Sequence, residues 1–137
     1  MSQIVLDDQL FNLEVLVPIA RWITVQRLRD LHPGEVIKDD RVPSLLRGLR
    51  QSIFVTIDMG FWQGKLRDPR YCILCFPLRN DEQYKLPDLL RRLLRLPEFR
   101  TKAVRMSKVA RVSQVMVEYW QSSDEKLHKL LWPEIVD

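Results

Sequence analysis

Short apolar runs alternate along the chain with stretches in which apolar residues recur every three or four positions, the mark of strands alternating with amphipathic helices. Residues 3–7, Gln-Ile-Val-Leu-Asp, read as a buried strand ending in an acid. The mostly apolar stretch that follows, through Trp22, reads as helical, with Pro18 either kinking it or starting a fresh turn. Residues 23–28 are expected to form a second strand, and His32-Pro33-Gly34 a turn. Asp39 and Asp40 stand in N-cap position for a helix that carries Val42, Leu45, Leu46 and Leu49 on one face and ends at Gln51. Residues 52–58, Ser-Ile-Phe-Val-Thr-Ile-Asp, are the clearest strand, and like the first it ends in an aspartate. A loop over 59–70, a strand over 71–77 and a polar connection at 79–82 come next. A helix over 86–96 with a basic outer face is closed by Pro97. Residues 103–120 alternate as one or two strands, and Asp124 to Leu131 is expected as a short helix.

This order predicts β-α-β units, hence an α/β domain with a mainly parallel central sheet flanked by helices. The region 103–120 adds an edge strand or a terminal hairpin. With 137 residues and no repeat or linker, the chain reads as one domain over 1–137, with a core over about 3–120 and a tail over 121–137.

Composition narrows the class. Hydrophobic residues make up 46% and charged residues 29%, the balance of an ordinary globular protein. No apolar run suffices to span a bilayer, and Asp7 and Asp8 interrupt any leader pattern, so no membrane association is expected and a cytoplasmic location is the simplest reading. The two cysteines, Cys72 and Cys75, form a C-x-x-C, but in a strand positions three apart point to opposite faces. They read as buried strand residues rather than a redox or zinc pair. Net charge is +4, compatible with a polyanionic partner without demanding one. Arg91, Arg92 and Arg95 read as a solvated helix face. His32 and His128 have no partners at ligand spacing, and there is no Ser-His-Asp arrangement, P-loop or Gly-x-Gly-x-x-Gly.

The candidate chemistry lies in the aspartates. Parallel strands end at one sheet edge, so Asp7 with Asp8, and Asp58, are expected to emerge on the same side, where open α/β sheets bind ligands. Asp39 and Asp40 open a helix and belong near the opposite edge unless the preceding loop folds back. Clustered carboxylates repel one another, and a divalent cation relieves that repulsion; oxygen-only ligation suits Mg²⁺ or Mn²⁺. Such ions promote phosphodiester cleavage by water. Lys65, Arg67 and Arg70, in the loop after Asp58, are candidate phosphate contacts and so RNA-binding residues. Each aspartate also has a plain reading, as a helix cap or as a strand end leaving the core.

Asp7-Asp8-Gln9-Leu10, Leu28-Arg29-Asp30-Leu31, the acidic pair Asp39-Asp40 and Val55-Thr56-Ile57-Asp58-Met59-Gly60-Phe61 follow one another in an order that resembles the short PIN-like domains of toxin–antitoxin operons. The resemblance covers about residues 3–96. It implies a Rossmann-like PIN-type sandwich and a Mg²⁺- or Mn²⁺-dependent endoribonuclease, the toxin of such a pair. Asp7, Asp40 and Asp58 are then the catalytic acids, and Asp7, Asp8, Asp40 and Asp58 the metal ligands, with Asp39 competing with Asp40 for the pocket position. The partners implied are an RNA substrate, an antitoxin protein and, as a further option, a second copy of the chain. Gly60 stands where the family carries a second acid and Gln9 where it carries asparagine. These departures leave a catalytically degenerate interaction module as the alternative.

Overall fold

The computed structural model describes residues 3–31 and 33–133. Seven strands form one mixed sheet in the order β2-β1-β3-β4-β5-β6-β7. The first five are parallel: β1 (Gln3–Leu6), β2 (Val25–Arg27), β3 (Ser52–Thr56), β4 (Tyr71–Cys75) and β5 (Val109–Val112). β6 (Met116–Trp120) and β7 (His128–Leu131) extend the sheet antiparallel. β3 and β4 are buried at every position, so aliphatic side chains fill both faces, as central parallel strands require.

Helices cover both faces. On one, Ile4, Leu6, Ile53, Val55, Cys72 and Leu74 meet Val15 of a π-helical turn (Asn12–Leu16), Ile19 of α1 (Val17–Ala20), and Leu86, Leu89, Leu90 and Leu93 of α4 (Leu86–Leu93). On the other, Val5, Phe54, Ile73 and Cys75 meet Leu28 of α2 (Leu28–Leu31), and Val42 and Leu46 of α3 (Val42–Arg47). Cys72 and Cys75 therefore point to opposite faces, both buried and unpaired. Burial pushes the Cys72 thiol up to about 12 and Cys75 higher still, so neither supplies a thiolate near neutrality.

Pro18 stands in the first turn of α1 and so starts a fresh turn. Several expected boundaries shift. The helix expected to end at Gln51 stops at Arg47 with Gly48 as its cap, and Gln51 takes a left-handed φ of 50° to turn the chain into β3. The polar connection after β4 is itself a 3₁₀ turn (Asn80–Lys85), in which Glu82 Oε1 accepts the Arg79 N–H at 3.0 Å. α5 (Lys102–Arg105), N-capped by Thr101, occupies the start of the region read as strand. The helix expected over Asp124 to Leu131 is instead a turn followed by β7, whose side chains alternate between half-buried and exposed. Cross-strand pairing with β6 overrides the helix propensity of Lys129, Leu130 and Leu131. In the turn expected at His32-Pro33-Gly34, Gly34 takes φ 81°; His32 lies outside the described residues. No helix among the described residues is long and apolar enough to cross a membrane.

The connections fix where a ligand can sit. From β1 the chain leaves over the α1 face to reach β2, and returns over the α2/α3 face to β3 on the other side of β1. The chain leaves β1 toward the Val15 face and β3 toward the Phe61 face, so the exits diverge between these neighbouring strands and the crevice opens beyond their carboxyl ends.

Candidate active site at the carboxyl edge of the sheet

Asp7 follows β1 directly, and its N–H continues the ladder by donating to Val55 O of β3 at 2.9 Å. Its side chain is 7% exposed and both oxygens are engaged. Oδ2 accepts the Thr56 hydroxyl at 2.6 Å, and Oδ1 accepts the Asp8 N–H at 2.8 Å. Burial raises the Asp7 pKa, the two hydrogen bonds oppose that rise, and the charges of Asp39 and Asp8 add to it. Thr56 Oγ1 in turn accepts the Asp58 N–H at 2.9 Å. One buried hydroxyl thus couples the carboxylate after β1 to the backbone after β3.

Asp58 opens the 3₁₀ turn Met59–Phe61, with Oδ1 accepting the Gly60 N–H at 2.8 Å. A Cβ at position 60 would stand 3.0 Å from that oxygen, so glycine lets the turn close against the carboxylate. Asp39 arrives from the far side. The segment before α3 does fold back over the carboxyl edge, and a 3₁₀ turn (Asp39–Arg41) leads into the helix. Neither Asp39 nor Asp40 serves as N-cap: Lys38 holds that position and no side chain caps the turn. Asp39 lies within hydrogen-bonding reach of Asp58, and its pKa is raised by desolvation first, then by the Asp58 and Asp40 carboxylates.

Asp39, Asp40 and Asp58 line one cleft of about 400 Å³, with Pro43, Phe61 and Leu66 as its apolar wall and Gln63 and Lys65 on the loop opposite. Of the two adjacent acids, Asp39 is the one that reaches Asp58; Asp40 lines the same cleft. Asp8 is drawn elsewhere. Its Oδ1 accepts the Arg29 N–H at 2.9 Å and pairs with the guanidinium at 3.4 Å, fastening the start of α2 to the end of β1.

The three basic residues expected beside the crevice separate. Lys65 lines it. Arg67 does not: its guanidinium donates to the carbonyls of Gly64, Gln121 and Asp124 at 2.7–2.8 Å, pairs with Glu125 at 3.1 Å and lies over the Trp120 ring. It clamps the loop to the tail. Arg70 is held two-pronged by Asp68, both contacts at 2.9 Å. Thr56 was missed as a site residue. Its signal is a hydroxyl at the end of a buried strand, two positions before an acid.

The donor set is oxygen-only, and two carboxylates pressed together with solvent at hand fit Mg²⁺, which commonly takes one or two protein carboxylates and keeps several waters. As the side chains stand, no group of three or more His, Cys, Asp or Glu among the described residues is arranged to hold an ion. Asp39 and Asp58 are therefore the candidate ligands, with Asp7 behind them.

Comparison of the chain with family models, with curated proteins and with solved structures finds no match.

Proposed function

We propose that the protein is a divalent-cation-dependent phosphodiesterase acting on RNA, an endoribonuclease of the PIN-like type and the toxin of a toxin–antitoxin pair. One observation carries the reading. Carboxylates from two separate elements, Asp39 before α3 and Asp58 after β3, meet in one crevice with no ion pair to either among the described residues, and Asp7 after β1 is buried behind them, close enough for the Asp39 charge to act on it. Such a cluster raises the energy of the unliganded protein and is relieved by a cation.

Asp39 and Asp58 would hold Mg²⁺ or Mn²⁺, which when bound lowers the pKa of a water and offsets charge developing on the phosphoryl oxygens. Asp58 is fixed for this role by Thr56 and Gly60, and Asp7 anchors Thr56 from behind. Lys65 neutralises a phosphate entering from the loop side. Asp40 stands at the cleft as an acceptor able to orient water. In the test, single-stranded RNA is incubated with the full chain and Mg²⁺ or Mn²⁺, with and without EDTA. Cleavage that stops with EDTA and is lost in Asp58→Asn supports the reading; RNA left intact under every metal condition overturns it.

A second reading has its own observation. A Cβ at position 60 would stand 3.0 Å from Asp58 Oδ1, so an acid there would displace that carboxylate by a few tenths of an ångström. A site with fewer acids suits an interaction module that keeps the architecture and binds a protein partner. RNA left intact, together with failure to bind Mn²⁺, favours it.

A further inference from the structure

The outer side of α4 carries a second polar surface, on the sheet face opposite the acid cleft. The cleft wall residues Phe61 and Leu66 belong to the α2/α3 side, whereas α4 packs Leu86, Leu89, Leu90 and Leu93 on the α1 side. Along the exposed side of α4 run two adjoining concavities of about 290 and 390 Å³ that share Asp88 and Arg92. One is bounded by Tyr84, Lys85 and Gln114, the other by Arg91 and Arg95.

Several arginines elsewhere are held by carboxylates, as Arg41 is by Glu35, Arg70 by Asp68 and Arg111 by Glu118. Arg91, Arg92 and Arg95 form no ion pair among the described residues. Two of them lie instead over indoles: Arg92 is 4.6 Å from the Trp132 ring centroid and Arg91 5.7 Å from that of Trp22. An arginine over an indole keeps a charge that no carboxylate neutralises, so it remains open to an anion. The helix C-terminus favours basic residues in its last turn, and that accounts for where Arg91 and Arg92 fall. It accounts neither for the indoles beneath them nor for Tyr84, an aromatic ring 61% exposed at the other end of the groove.

We propose that this groove binds a single-stranded polynucleotide, with Arg91, Arg92 and Arg95 on successive phosphates and a base stacked on Tyr84. A cationic track interleaved with aromatic rings is the general device for binding single strands without sequence preference. From Tyr84 to Arg95 the track runs on the order of 15–20 Å at helical rise, room for a few nucleotides. Asp88 is the one acid in it, so the strand passes along the arginine side. The groove adds to the cleft reading without resting on it: a strand held here would be tethered to the molecule on the face away from the acids.

The test uses the full chain in EDTA, so that binding is read without cleavage, and follows the anisotropy of a labelled oligouridine of about 12 nucleotides. Wild type should bind with a log–log salt slope of about −2, the value for three phosphate contacts on a single strand. Arg91→Ala with Arg92→Ala and Arg95→Ala should weaken binding at least about 10-fold and flatten the slope. Tyr84→Ala should weaken it about fivefold or more with the slope unchanged. Arg95→Glu, at an exposed position, gives the same direction if the triple variant folds poorly. Arg47→Ala with Arg50→Ala, two exposed arginines outside the groove, should leave binding as it was. Equal loss in that control pair means general charge attraction and overturns the proposal. So does binding of a polyglutamate peptide in place of the oligonucleotide, which makes the groove a protein surface. Binding retained while RNA stays uncut with metal removes the cleft reading alone.

Discussion

Arg105 and Lys108, at the amino edge of the parallel strands, are as buried as Asp7 at the carboxyl edge, each about 7% exposed. Their surroundings differ in kind. Arg105 donates to the carbonyls of Arg100 and Thr101 at 2.7 and 3.2 Å. Lys108 donates to Val104 O and sits between the Phe99 and Tyr119 rings at 5.6 and 5.3 Å. Burial pulls both pKa values down, and carbonyl dipoles and ring faces meet the cations' needs from within a few residues. The carboxyl edge is arranged otherwise. Asp7 is satisfied, but Asp39 stands beside Asp58 in an open cleft, and desolvation together with the Asp58 and Asp40 charges raises its pKa. The closed cluster meets the needs of its own charges; the open cluster of like charge leaves its repulsion unrelieved.

If that contrast is right, substitutions at the two edges should separate activity from stability. Asp58→Asn should lower metal-dependent RNA cleavage on the order of 10²–10³-fold while leaving the thermal midpoint unchanged or about 1 °C higher, since it removes one repelling charge. Scanning fluorimetry beside a cleavage assay reads both. Lys108→Ala should do the reverse, costing about 2–4 kcal/mol in denaturant unfolding through the void left between two rings, with cleavage per folded molecule unchanged.

Thr56→Val tests the buried link between the strands that carry the acids. The shape is kept, but Asp7 Oδ2 loses its 2.6 Å donor and the Asp58 N–H its acceptor. A loss of about 1–3 kcal/mol in chemical denaturation is expected. Cleavage should fall about 10–100-fold, as for partners that orient metal ligands.

The strands that position the acids were legible because β1, β3 and β4 are short, mostly apolar runs and an aspartate follows within two residues of two of them. β7 was not, because Lys129, Leu130 and Leu131 are good helix formers and pairing with β6 decides its state. Asp7 and Asp58 follow from parallel strand ends, whereas the choice between Asp39 and Asp40 depends on a 3₁₀ turn, whose side-chain directions differ from those of the α-helix expected there. Arg67 could not be told from Lys65 by spacing. Its partners are Gln121 and Asp124 carbonyls more than fifty positions away, together with Glu125.

The smallest expected effects lie in the acid limb of stability. Asp39 and Asp7 have folded pKa values above 3.8, so the stability their protonation contributes is fully present below 3.8 and is lost as pH rises through the folded values. Asp124 is the opposite case. Hydrogen bonds from Gln121 and His128 hold its pKa at about 2, so its contribution is present above 3.8 and is lost as pH falls toward 2. Thermal midpoints measured across that range should rise above wild type for Asp39→Asn on the neutral side, by about 1 °C given the solvent screening of an exposed carboxylate. Asp124→Asn should remove the loss between pH 4 and about 2.

The proposed cation site requires Asp39 and Asp58 to act together. Titrating Mn²⁺ into the full chain and following the free ion by electron paramagnetic resonance addresses it without any substrate. Wild type should bind with sub-millimolar affinity, and Asp39→Asn and Asp58→Asn should each weaken it about 10-fold or more, while Asp8→Asn, whose carboxylate is turned to Arg29, should not. Equal affinity in wild type and both cleft variants, or no binding at all, would contradict the account.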